Sequence, residues 1–339
     1  MRPIPVTLFA LAAASPLALL ALGITLGGFW PLLALLYMTV AAVALDLLLP
    51  LAANPAADRE FPAANALLAA LGLCALAALP LLTWAIAGAS GLSPLARAAL
   101  FLAGGLWFGQ VAHPAAHELI HRPRPFFSLG VAVYTALLFG HHASAHRLVH
   151  HRHVATARDP NTARAGEGYY RFLLRAWVQS FRRGWAAETA LRTTTPGLNP
   201  YAIYLFGAAL ALSLATLIAG LPGLLTWVAL GLHAGSQILL SDYVQHYGLT
   251  RATMPDGKPE PVSAAHSWNT PHLFSAALML NAPHHSDHHT NPQRPFPALR
   301  LPADAPLLPW PLPLACLIAL APPLWRRKMR PQLAALSKP

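Results

Sequence analysis

Six apolar runs, each long enough to cross a bilayer as a helix, constrain this chain before any other feature. They extend from about Val6 to Gly28, Phe29 to Leu51, Ala63 to Ala87, Leu95 to His121, Tyr201 to Ala219 and Leu221 to Leu240. About 20 apolar residues are needed to span the hydrocarbon layer. A backbone in lipid must satisfy its own hydrogen bonds, which a helix does. Only 10% of the 339 residues are charged, against roughly 25% in a soluble domain. The expected fold is therefore all-α: an integral membrane bundle of six transmembrane helices. The first run has the look of a signal peptide, but the second follows directly after Gly27-Gly28, so a helical hairpin is the better reading.

Two further apolar stretches do not qualify as spans. Phe126 to Gly140 holds only fifteen residues and reads as an interfacial or re-entrant piece. Leu307 to Leu324 carries five prolines, so it packs on the domain or at the interface. Tyr169 to Leu191 mixes Tyr, Phe, Trp and Arg at helical spacing, as in a helix lying in the interface plane or packed on the domain.

Charge orients the bundle. The formal net charge is +11, but the arginines cluster in one part of an apolar protein, which points to a membrane rather than to nucleic acid. Six spans put both termini on one side, together with the Asp58-Arg59-Glu60 turn, the arginine-rich segment after Gly140 and the basic Arg326-Arg327-Lys328. The turns near Gly27, Gly88 and Gly220 share the other side and lack charge. The positive-inside rule makes the first side cytoplasmic. Asp46, near the end of the second run, reads as an interfacial carboxylate. The expected organisation is one domain over 1–339: spans one to four within 1–121, a cytoplasmic His/Arg-rich segment over 122–200, spans five and six within 201–246, and a cytoplasmic cap and tail over 247–339.

Histidine is the unusual residue. Of seventeen, nine fall between His113 and His153 and seven between His246 and His289, with His233 alone between the windows. Four blocks stand out: His117 and His121; His146, His150 and His151; His246; and His285, His288 and His289. Spacings of three and four stack side chains on one helical face. All four blocks fall at predicted cytoplasmic membrane ends. Packed without metal, so many imidazoles would be costly. Nine exceed one tetrahedral zinc site and fit two metals with open positions, which suggests redox chemistry with dioxygen. His117-Glu118-Leu119-Ile120-His121 also satisfies the zinc protease signature, with Glu118 as general base, but that reading leaves seven histidines idle. Cys74 and Cys316 sit in apolar surroundings, read as buried fillers, and form no cluster-binding motif.

At this point a resemblance emerges. His117-Glu118-Leu119-Ile120-His121-Arg122, then His150-His151-Arg152-His153 leading to Asp159-Pro160, then Tyr243 to Leu249, then His285-Ser286-Asp287-His288-His289 resemble the four boxes of the membrane alkane 1-monooxygenases, within the wider superfamily of membrane desaturases and hydroxylases. The likeness extends to His266-Ser267-Trp268-Asn269 and Pro322-Pro323-Leu324-Trp325-Arg326 and covers roughly Leu95 to Arg330. It implies a non-haem di-iron centre in a bacterial inner-membrane protein, terminal hydroxylation of an alkane with dioxygen, and electrons from rubredoxin and its reductase. It implies as ligands His117, His121, His146, His150, His151, His246, His285, His288 and His289. Glu118, Asp159, Asp242, Gln245, Asp287 and His272 are the candidates for supporting the ligands from behind. The boxes depart from the family pattern at Ala145, Val149, Asp242, Gln245 and Ala282-Pro283-His284. A lipid desaturase or hydroxylase on the same scaffold is the alternative. The substrate would enter from the bilayer along runs such as Gly104-Gly105-Leu106-Trp107-Phe108, with Trp107 and Phe108 lining the tunnel.

Overall fold

Apolar runs in lipid have no water to bond their peptide groups, so they resolve as helices. The computed structural model describes residues 4–56 and 60–336. Asp58 and Arg59 of the charged turn lie outside the described residues. Among these there is no β-strand, only isolated bridges at Thr253/Pro259 and Asn269/Leu307. Five helices are long and apolar enough to cross a membrane: α1 (Val6–Leu26), α2 (Trp30–Leu48), α3 (Ala64–Ala87), α4 (Pro94–Ile120) and a long Pro200–Gln245 element.

The last of these is two spans. Its backbone leaves the helical region at Ala219 and at Gly220, where φ is +60°, a conformation that glycine adopts without the strain of a Cβ. In a straight helix, residues eight apart would be about 12 Å distant. Here a Cβ on Gly223 would overlap the Ala215 carbonyl oxygen, so the second arm folds back along the first. Gly223→Ala should therefore lose about 1–3 kcal/mol by overpacking, read as a lower unfolding temperature in detergent. Gly28→Ala tests backbone strain alone, because nothing lies within 4 Å of a Cβ there. An unchanged unfolding temperature in Gly223→Ala would dismiss the hairpin contact.

The ends of the spans separate as the charge pattern requires. Two of the uncharged turns meet, for Gly27 lies against Leu92. At the opposite end Phe9 packs edge-on against Phe296, ring centroids 4.9 Å apart. Asp46 is not a solvated interfacial carboxylate. It is buried and accepts the Ser275 backbone N–H at 2.8 Å, capping a short helix of the cap from another part of the chain. The turn side is not wholly free of charge. Arg97 donates to the carbonyls of Ile86 and Leu92 and so closes the C-terminal end of α3.

Between α4 and the long hairpin the chain builds its cap. A helix of eleven residues, α5 (Phe126–Ala136), is too short to span and packs against the C-terminal half of α4 through Gly130. Then come α6 (142–153) and α7 (Tyr169–Thr194), followed by the hairpin α8 (Pro200–Gln245). Helix α7 buries Tyr169, Phe172, Ala176, Ser180, Gly184 and Glu188, one face at spacings of three and four, and leaves Leu174, Val178 and Trp185 exposed on the other. Beyond α8 lie α9 (Leu273–Leu278), α10 (His285–Thr290), α11 (Leu312–Ala319) and α12 (Pro322–Leu336). The proline-rich stretch thus yields the eight residues of α11 and the first residues of α12, with no span.

Three helices contain a π-turn: α2 at Tyr37–Ala41, α4 at Phe108–Ala112 and α6 at His146–His150. Such turns insert one residue and rotate everything that follows, and they concentrate at functional sites. All three lie against the cavity or the histidines described next.

Candidate metal centre

The nine histidines of the four blocks converge. They form two groups that could each hold a metal ion, the donor atoms of each lying within 4.8 Å of one another: His117, His121, His146, His151 and His288 in the first, and His150, His246, His285 and His289 in the second. The first draws on the end of α4, on α6 and on α10. The second draws on α6, the end of α8 and α10.

Helix α6 divides its histidines by way of the π-turn. Four-residue spacing suggests that His146 and His150 share a face, but the extra residue stacks the five-spaced pair instead. His146 Nε2 and His151 Nε2 are 2.8 Å apart, while His150 is carried into the other group. Adjacent residues thus serve different groups here, and again at His288 and His289.

The donor geometry can be tested against a metal. In the first group His117 Nε2 is 2.7 Å from His146 Nε2, and His288 Nε2 is 3.1 Å from His151 Nε2. In the second, His285 Nε2 lies 3.0 Å from His246 Nε2 and 3.1 Å from His289 Nε2. With a metal–nitrogen bond of about 2.1 Å, donors at right angles sit about 3.0 Å apart and tetrahedral donors about 3.4 Å apart. These edges fit right-angle coordination, and five donors exceed a tetrahedron. His121 Nε2 and His150 Nε2 are buried and have no hydrogen-bond partner among the described residues, as donors reserved for a cation would be. Burial, reinforced by neighbouring rings, pushes His121, His146, His151, His285, His288 and His289 well below the ordinary imidazole value. Burial likewise pushes His246 down to about 3. They are neutral at physiological pH, each with a lone pair to offer.

Behind the donors the support is uneven. His150 Nδ1 donates to Asp159 at 2.8 Å. Burial pulls its pKa down, but the Asp159 charge and hydrogen bond outweigh this and raise it. Asp159 is also held by the Asn161 backbone N–H and by Thr162, and Asn161 Nδ2 donates to Asp242 at 2.6 Å. Asn161 therefore links two of the anticipated carboxylates. It escaped the sequence reading, although the Asp159-Pro160-Asn161 run was its signal. His246 Nδ1 donates to the His266 carbonyl at 3.2 Å. Gln245 donates to the Ala282 carbonyl and accepts from Ser241, tying α8 to the segment that leads into α10.

Three anticipated supporters have other roles. Glu118 accepts from Arg122 and from the Phe296 N–H, and its second oxygen stays 4.0 Å from His288 Nδ1. Asp287 turns away to Arg294, Asn291 and the Arg300 N–H. His272 stands at the start of α9 beside Asp46 and hydrogen-bonds none of the nine. Among the described residues, the Nδ1 atoms of His146, His288 and His289 are buried without a hydrogen-bond partner.

A cavity of about 860 Å³ runs from the first group into the bundle between α2, α4, the second arm of α8 and α11. Its walls are mainly apolar, Met38, Val43, Leu106, Leu240, Leu312 and Leu317 among them, and it ends on His117, His146, His285 and His288. Cys316 lies in this wall and, like Cys74, is partly buried and packed against the core. The anticipated Trp107 and Phe108 do not line it. Trp107 is fully buried and donates its indole N–H to the Ala13 carbonyl of α1 at 3.0 Å, and Phe108 packs on it edge-on. Leu106, Gly109 and Gln110 face the cavity instead. A second, polar cleft of about 430 Å³ reaches His121 and His151 from the cap side, past Arg122 and Arg147.

Comparisons with known proteins cover the part of the chain that holds this site. The model of the fatty acid desaturase family matches residues 92–310, which contain all nine histidines. Alkane 1-monooxygenase 1 of Pseudomonas aeruginosa is 32% identical over 249 residues, 71% of this chain and 65% of the relative. The alkane 1-monooxygenase of Pseudomonas putida is 33% identical over 264 residues, 76% of this chain and 65% of the relative. The hydroxylase component of a xylene/toluene monooxygenase, also from Pseudomonas putida, is 29% identical over 246 residues, 68% of this chain and 63% of the relative. The chain spans about 65% of the length of the first two. It belongs to the fatty acid desaturase family, and its likeness to curated proteins lies with the alkane 1-monooxygenases.

Proposed function

We propose that this chain is a membrane monooxygenase that hydroxylates a terminal C–H of an alkane or similar apolar chain, with two iron ions held by the nine histidines. The observation that carries the reading is the cavity: an apolar channel whose inner end is formed by imidazoles of both groups. A chain in it is held by burial, at about 0.8 kcal/mol per CH₂, and its end is presented to the donors. An unactivated C–H offers no handle to an acid or base, so the bound metal pair supplies the oxidising power from dioxygen. The protein's own share is positional. Asp159 orients His150, the His266 carbonyl orients His246, and the apolar walls keep water from the reacting carbon.

The cap faces the cytoplasm by the positive-inside rule, with both termini and the site on that side of a bacterial inner membrane. Exposed arginines there, including Arg152, Arg158, Arg164, Arg171 and Arg182, would attract an acidic electron carrier, taken to be rubredoxin served by its reductase. The family match itself favours a second reading, in which the same cavity takes a fatty acyl chain. A zinc protease on His117-Glu118-His121 is disfavoured because Glu118 is already engaged by Arg122 and Phe296.

Iron quantification with product identification tests all three. Roughly two irons per chain and 1-octanol from octane under dioxygen support the proposal. A desaturated acyl lipid would transfer it to the second reading, and one zinc with no oxygenated product would overturn it. Val43→Phe, in the cavity wall, should shorten the longest alkane accepted while leaving the iron content unchanged.

A further inference from the structure

The nitrogen of His246 that faces away from the second group is held by backbone, not by a side chain. His246 Nδ1 donates to the His266 carbonyl at 3.2 Å, while Nε2 lies with the other donors. A carbonyl orients an imidazole only as well as its own peptide is fixed. The stretch over 266–269 is anchored on its far side by Trp268, whose N–H donates to the Gln245 carbonyl at 2.7 Å. On its near side the anchor is the His266 ring, which is buried although most of the loop before it is exposed.

That ring is bonded at both nitrogens. The Ser263 backbone N–H lies 2.9 Å from Nδ1 and can only donate, so Nδ1 carries the lone pair and the proton sits on Nε2. Nε2 donates to Glu260 Oε1 at 3.1 Å. The same oxygen accepts the Ala252 N–H at 2.8 Å, and the Glu260 N–H donates to the Ala252 carbonyl at 2.9 Å. Arg251 ties this hairpin base to the other ligand-bearing segment. Its backbone N–H donates to the carbonyl of Ala155, four residues beyond His151, at 2.8 Å, and its Nε donates to the Glu260 carbonyl at 2.6 Å. Glu260 thus joins two segments that carry ligands, although it hydrogen-bonds none of the nine histidines.

We infer that Glu260 is a positioning residue for the second metal group: through the His266 ring it fixes the carbonyl that aims His246 at the ion. The role belongs to the acceptor oxygen and not to the charge. Both side-chain bonds fall on Oε1, and a glutamine keeps an oxygen there. A leucine has the bulk but no acceptor, and it leaves the buried Nε2–H of His266 unpaired. Turning the ring toward water relieves that loss. The His266 peptide turns with the ring, and His246 loses its aim. The tip of the same hairpin is the contrast. Among the described residues Asp256 bonds Lys258 alone and reaches neither ligand-bearing segment.

This inference rests on the reading of the nine histidines as metal donors, and the test separates the two. Full-length protein in detergent, loaded with Mössbauer-active iron, is stripped with increasing bipyridine. Glu260→Leu is expected to lose half its iron at about tenfold less chelator than the wild type. Before stripping, its spectrum should show one iron altered and the other unchanged. Glu260→Gln and Asp256→Leu should match the wild type, and the metal-free Glu260→Leu chain should unfold at the wild-type temperature. Wild-type iron retention in Glu260→Leu would overturn the inference and leave the centre standing. Loss in Glu260→Gln or Asp256→Leu equal to that in Glu260→Leu would do the same. So would a lowered unfolding temperature with both irons altered alike, the mark of a loop that only holds the fold. A wild-type chain that takes up no iron would remove the metal centre and this inference with it.

Discussion

Replacing His285 with alanine is expected to abolish hydroxylation and to reduce bound iron from roughly two per chain toward one. His285 is central to the second group, within 3.1 Å of both His246 and His289 at Nε2. It also forms part of the inner end of the cavity. Its loss leaves three donors and widens the inner end of the cavity, where the proposed substrate would present its terminus. The adjacent His284 is the control. It is equally buried but belongs to neither group, so His284→Ala should keep its iron and cost only packing. Metal analysis and octane turnover on both variants decide the matter. Retention of full iron and turnover by His285→Ala would remove the second group from the mechanism.

Chelator-treated protein is expected to lose stability steeply below about pH 6.5, the ordinary imidazole value. His121, His146, His151, His246, His285, His288 and His289 are all pushed down by burial in the folded state. Above about pH 6.5 neither state binds these protons, and their contribution is complete. As the pH falls, the unfolded chain takes them up while the folded chain does not, which costs about 1.4 kcal/mol per pH unit per imidazole. His150 has the opposite sign. Raised by Asp159, it stabilises most below the ordinary value, and that contribution fades as pH rises through its folded pKa. Seven groups outweigh one. Metal-loaded protein should resist acid better, because bound nitrogens must release the ion before they protonate. Unfolding temperatures at pH 7.5, 6.5 and 5.5 measure the effect, and a flat profile for the metal-free chain would refute it.

The membrane spans were legible because an unbroken apolar run of about 20 residues satisfies its backbone in hydrocarbon as a helix. Even the paired arms of α8 could be read from Gly220-Leu221-Pro222-Gly223. The convergence of the histidine blocks was also readable, since all four sit at the same end of the spans. Their division into two groups was not. It depends on the π-turn at His146–His150, a one-residue change in phase that hydrophobic spacing does not report. The cavity wall was misread for a similar reason. Apolar character marks Trp107 and Phe108 as buried, but a packed helix face and a hollow one have the same composition. Only the partner helix distinguishes them, and here α1 claims Trp107. His272 and Asp287 failed because polar residues near a site have local uses as well, in these cases beside Asp46 and with Arg294.

The neighbours His150/His151 and His288/His289 straddle the two groups, so each pair joins them through a single peptide unit. An ion captured on one side immobilises backbone that the other side also needs, and the ordering entropy for the second capture is then largely spent. Loading should accordingly be cooperative, with the singly occupied form scarce. Under iron limitation such a population would divide into complete and empty molecules rather than accumulate half-built ones.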